Sequence, residues 1–118
     1  IDLSMAKELY LYLIYQLNYD FVIIDVPSDL TNIATIDGII FSNKVFTVIT
    51  QDVSSIGYSI FNLNELEKKD IEIKKKNYFI VNRHIDSNFK DSDIKRWIEC
   101  SDLITVGDYS REFIRRYQ

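Results

Sequence analysis

Asp25 is the residue most clearly placed to do chemistry. It closes the apolar run Phe21–Ile24, which reads as a strand buried on both faces. An unpaired charge inside such a strand is costly, so the carboxylate belongs at the edge of the sheet. Two chemistries use a carboxylate there. It can hold Mg²⁺, directly or through water, or it can accept a phosphoryl group. A third use is structural: a cap for the next turn.

Asp25 needs a sheet to hold it, and the apolar periods along the chain supply one. Residues 4–17 read as a helix, with Met5, Leu9, Leu13 and Leu17 at four-residue steps and Ala6, Tyr10 and Ile14 beside them. Ser4 reads as its N-cap and Asn18 as its stop. After the strand at 21–25, residues 31–41 form a short helix with Ile33, Ile36 and Ile40 inward. Residues 45–50 form a second strand. Residues 55–69 form a helix started by Ser54 or Ser55, with Ile56, Ile60, Leu63 and Leu66 inward and Lys68 and Lys69 at its end, where the helix dipole favours cations. Residues 78–82 are a third strand. A helix follows over 92–100, with Ile94, Trp97 and Ile98 inward, and a fourth strand over 103–106. The last eleven residues read as a helix with Phe113, Ile114 and Tyr117 apolar.

Strands separated by helices predict an α/β fold, a parallel sheet with flanking helices. In such sheets ligands bind beyond the C-terminal ends of the strands. Those ends are Asp25 to Asp29, Thr50 to Ser55, Asn82 to Asp86 and Gly107 to Tyr109, and all four are polar.

Composition narrows the chemistry. The 118 residues are 47% apolar, which supports a core and excludes intrinsic disorder. One cysteine excludes a disulfide framework, and one histidine excludes a two-histidine metal site. A net charge of −4 argues against a broad basic surface for nucleic acid. Apolar runs are far shorter than a membrane span, so a reduced cytoplasm is the expected compartment. Ile1 at the start, three glycines and one proline lead to the expectation that this is part of a longer chain.

The stretch YDFVIIDVPSDL resembles the Walker B and switch II segment of the MinD/ParA family of deviant-Walker ATPases. VFTVITQDVSSI is similar to the family's next strand and its serine-bearing loop. FIVNRHID resembles its strand ending in Asn-Arg or Asn-Lys, and LITVGDYSREF its late loop beside the base. The nearest branch is CpaE/TadZ, bacterial pilus-assembly and polar-localisation proteins. The resemblance covers about residues 5–118, in matching order. It implies a P-loop NTPase-like three-layer fold that takes ATP and Mg²⁺ in the complete domain. Asp25 would hold Mg²⁺ through water. Pro27, Ser28 and Asp29 would lie in switch II. Asn82 would hydrogen-bond adenine, since an amide offers a donor and an acceptor together. Arg83 would lie against the base, as guanidinium planes stack on aromatic ones. Gly107 and Asp108 would border the base pocket.

The departures are as informative. No G-x-x-x-x-G-K-[ST] and no Gly-Lys pair occurs, so the phosphate cradle is missing. The late loop has Val106-Gly107 where the family has proline. The chain therefore reads as the C-terminal half of one such domain, with no catalytic residue of its own and ATP bound weakly or not at all by it alone. The family's phosphate-loop strand lies between the strands matching 21–25 and 45–50, so both should face a gap, filled by a half present elsewhere or repaired by pairing directly or with another chain. The implied partners are the N-terminal half or a homodimer, and proteins of a localisation or secretion machinery. Sequence-specific nucleic acid is not among them. Arg111, Arg115 and Arg116 beside Phe113 and Tyr117 read as a packed helix in preference to a membrane-surface one.

Three functions compete. One is part of an ATP-binding switch that positions or assembles a cellular structure. The second is a non-enzymatic localisation or scaffold domain on the same fold. The third is a phosphoacceptor receiver, disfavoured because no strand precedes the one ending at Asp25.

Overall fold

The computed structural model of the chain describes residues 3–85, 90–99 and 102–109. The chain divides into two units, residues 1–43 and 44–118.

The first unit holds two helices, α1 (Leu3–Tyr15) and α2 (Ile33–Phe41). Both bury a different stripe from the one their largest side chains predict. In α1 it is Ala6 and Tyr10 that are buried, while Met5 and Leu9 are exposed. Tyr10 docks on α2, its hydroxyl donating to the Ala34 carbonyl at 3.0 Å. Ser4 lies inside α1, so it is not the N-cap. In α2 the buried residues are Thr35, Asp37, Gly38 and Ile39, and Ile33 and Ile40 point to solvent. The reason is close approach: Gly38 leaves room for Ile24 and Val26 to lie against the helix. Asn32 caps α2 by accepting from the Ala34 N–H at 2.9 Å.

The expected strand at 21–25 is absent. Residues 21–27 run without ladder pairing, with Val22, Ile24 and Val26 half-buried. Phe21 is 88% and Ile23 93% exposed, so this segment is not covered on both sides. The alternation is that of an extended chain. A strand also needs a neighbour for its N–H and C=O groups, and none of the described residues supplies one.

The second unit is α/β. Its elements are β1 (Val45–Ile49), α3 (Val53–Lys68), β2 (Asn77–His84), α4 (Asp91–Trp97) and β3 (Ile104–Gly107). The three strands form a parallel sheet in the order β1-β2-β3. Both crossovers step in the same direction, and crossovers of one hand then place both helices on one face. That is where the core lies: Ile49, Phe79 and Val81 from the sheet, Ile56 from α3 and Ile94 from α4. Ile60, Leu63, Ile98 and Leu103 pack around it. Each fully buried aliphatic side chain contributes roughly 1.5–3 kcal/mol.

The opposite face is apolar and, among the described residues, about half exposed. The register pairs Phe46 with Tyr78 and Val48 with Ile80. Phe46, Val48, Tyr78, Ile104 and Val106 are each exposed by 43–59%. The Phe46 and Tyr78 rings lie 5.7 Å apart, and the Lys44 ammonium sits 5.7 Å from the Tyr78 ring.

The helix ends follow local chemistry. Asp52, rather than Ser54 or Ser55, caps α3 through the Ser55 N–H at 2.7 Å. At the other end Asp70 takes φ 59°, its N–H bonding to the Glu67 carbonyl and that of Ile71 to the Leu66 carbonyl. This pair of bonds is a Schellman motif. Trp97, expected in the core, is 44% exposed on the last turn of α4. The expected C-terminal helix, with Arg111, Arg115 and Arg116, lies outside the described residues, as do Asp86 and Cys100. Among the described residues no helix is long and apolar enough to cross a membrane.

Candidate functional site

The second unit presents three strand ends on one rim. After β1 comes Thr50-Gln51-Asp52. The Thr50 N–H donates to the Ser55 hydroxyl at 3.1 Å, and the Thr50 hydroxyl donates to Asp52. Asp52 is therefore held below the usual carboxylate range, chiefly by the Thr50 hydroxyl and then by the Ser55 N–H.

The end of β2 is irregular. Val81 pairs with Thr105 and His84 with Gly107, so two residues of β2 face one of β3. Arg83 takes φ 52°. The extra residue is a bulge, and it changes which way the chain points. In a regular strand His84 would share a face with Asn82. Past the bulge it instead meets α4, its Nε2 lying 2.8 Å from the Asp91 carboxylate. Asn82, next to inward Val81, is half-buried, and Arg83 is exposed.

Beyond β3, the Asp108 N–H donates to the His84 carbonyl at 3.1 Å. The Tyr109 ring lies over Gly107, so close that a Cβ at that position would meet it at 3.2 Å. Any larger residue at 107 would displace the ring. Tyr109 is 65% exposed and offers an aromatic face at the rim.

The structure thus brings Asn82, Arg83, Gly107 and Asp108 together at the C-terminal end of the parallel sheet. Gln51, His84 and Tyr109, which lie on the polar strand ends, join them, and Asp91 of α4, which no motif marks, comes in through His84. A cavity of about 250 Å³ lies elsewhere, at the start of β2, with Lys74, Asn77, Tyr78 and Asp102 in its lining. It is at the wrong end of the strands for the usual ligand position in a parallel sheet.

Asp25, Pro27, Ser28 and Asp29 belong to the first unit. Asp25 is exposed within the unpaired stretch 21–27. The Pro27 carbonyl accepts from the Thr35 hydroxyl at 3.4 Å. Asp29 forms an Asx turn, accepting from the Thr31 hydroxyl at 2.7 Å and the Thr31 N–H at 2.9 Å. Those two bonds, the hydroxyl's first, hold its carboxyl below the ordinary range.

Among the described residues no three of His, Cys, Asp and Glu cluster as metal ligands. A single exposed carboxylate such as Asp25 fits a water-mediated Mg²⁺ contact, in which phosphate oxygens supply the remaining ligands, and does not fit a protein-only cage. The rim offers an amide, a guanidinium, an aromatic ring and a glycine. No protein-family model matches the chain, and no curated protein or solved structure matches it either.

Proposed function

We propose that this chain supplies the base-recognising part of a MinD/ParA-like adenine-nucleotide switch of the P-loop class. The observation that carries the reading is the convergence of Asn82, Arg83, Gly107 and Asp108 on one rim of a parallel sheet. The Asn82 amide would read the edge of adenine. Arg83 and Tyr109 would flank its plane, with Gly107 leaving room for the Tyr109 ring. Phosphates and Mg²⁺ would be gripped by a second element, the N-terminal half or a second subunit. Such a switch works in the cytoplasm by positioning or assembling protein partners.

Base recognition needs no phosphate cradle, so it can be tested on this chain. Saturation-transfer NMR should detect adenosine but not guanosine. Asn82→Ala should abolish the adenosine signal. Calorimetry with ATP and Mg²⁺ should show binding weaker than micromolar. Equal signals for both nucleosides, or micromolar ATP affinity, would contradict the proposal.

A second reading, a non-enzymatic scaffold on the same fold, is favoured by a different observation: the half-exposed apolar face around Phe46, Val48 and Tyr78. Soluble domains seldom expose contiguous patches of that kind without a partner. Loss of the adenosine signal from the native chain would leave this as the better account.

A further inference from the structure

The ladder between β1 and β2 stops at the pair Ile49–Val81. Gln51, two residues on, nevertheless holds Ile85, four residues on. Its Oε1 accepts from the Ile85 N–H at 2.9 Å, and its Nε2 donates to the Ile85 carbonyl at 3.2 Å. One primary amide making both bonds to one residue does what the N–H and C=O of a single residue do across an antiparallel pair. The span it bridges contains Arg83 at φ 52°. A bulky residue is strained in the left-handed region, and such strain persists only where the surroundings over-determine it. Here three braces meet: Gln51 on Ile85, Asp91 on His84, and the Asp108 N–H on the His84 carbonyl.

We propose that Gln51 is a positioning residue of the rim: its side-chain amide replaces the missing β1 backbone, holds the β2 bulge, and so fixes where Asn82 and Arg83 meet a ligand. The ligand named here rests on the adenine-nucleotide reading above, whereas the clamp stands on its own geometry. Without the bulge, His84 would turn away from Asp91. Without the clamp, only the β3 and α4 sides would oppose relaxation of Arg83.

Amide hydrogen exchange on the whole chain reads the clamp directly. Gln51→Ala should speed exchange of the Ile85 amide about tenfold, the equivalent of one hydrogen bond. The Phe79 and Val81 amides should keep their rates. Gln51→Glu keeps the shape but turns a second oxygen toward the Ile85 carbonyl, and should speed exchange at least as much. Gln51→Ala should also speed exchange of the Asp108 amide, which bonds to the His84 carbonyl just past Arg83, and Arg83→Gly in that background should return it toward the native rate, because glycine takes the left-handed conformation unaided. An unchanged Ile85 rate, equal acceleration at Phe79 and Val81, or no rescue by Arg83→Gly would each overturn the proposal. Adenosine titration of the same samples separates the two ideas. A native chain that ignores adenosine removes the ligand reading, while the exchange pattern still decides the clamp.

Discussion

Removing a side chain from the covered face of the sheet should cost several times more than removing one from the half-exposed face. Ile56 is fully buried and Val48 is 59% exposed, yet both are aliphatic and β-branched. Ile56→Ala removes three carbons, about 2.4 kcal/mol of transfer energy. The cavity left between α3 and the sheet raises the expected loss to about 3–4 kcal/mol. Val48→Ala removes two methyls that are less than half buried, about 0.6 kcal/mol, or about 1 kcal/mol once the lower strand preference of alanine is added. Urea unfolding followed by Trp97, the sole tryptophan, reports on this unit. With a slope of about 1 kcal/mol/M, the midpoints should fall by roughly 3 M and 1 M or less. A loss of 2 kcal/mol or more for Val48→Ala, with unchanged slope, would refute the one-sided sheet. So would a loss under 1 kcal/mol for Ile56→Ala.

Three further outcomes are expected. The folded-state carboxyl of Asp52 is depressed by its Thr50 and Ser55 bonds, so its contribution is complete above the ordinary carboxylate range and vanishes as pH falls through the lowered value. Asp52→Ala should therefore lower the melting temperature at neutral pH and flatten its decline on the acid side. In the first unit, a Cβ at Gly38 would meet Ile24, Val26 and the Tyr10 hydroxyl at 3.4–3.6 Å, which is tolerable contact. Gly38→Ala should stabilise α2 by up to about 1 kcal/mol, and Gly38→Leu should release residues 24–26, as seen by faster proteolysis there. Asp37 Oδ2 is buried with no hydrogen-bond partner among the described residues. Asp37→Leu should raise stability by about 1 kcal/mol in a thermal melt.

The second unit was legible because its signals agree. Val45–Ile49, Tyr78–Val81 and Ile104–Val106 are apolar runs bounded by polar residues, and Ile56, Ile60, Leu63 and Leu66 mark the inward stripe of α3. The first unit was not. Phe21–Ile24 has a strand's composition, but the pairing that makes a strand lies outside the segment itself. The isoleucines of α2 outweigh Thr35 and Gly38 in apolarity, yet small size decided which side the chain could approach. In the rim, strand ends were readable as ends. The bulge was not, because Asn82-Arg83-His84 carries no glycine to announce a left-handed residue, and neither Gln51 nor Asp91 is a sequence neighbour of the turn it braces.

The outer margin of β1 has its own consequence for handling this molecule. Val45–Ile49 carries neither a charge nor a proline, and alternation turns the Phe46 and Val48 peptide groups away from β2. Such a margin is a ready template for stray chains, fibrils included. Concentrated stocks should thicken over time unless Phe46→Lys is introduced, so storage behaviour becomes a readable property of one five-residue segment.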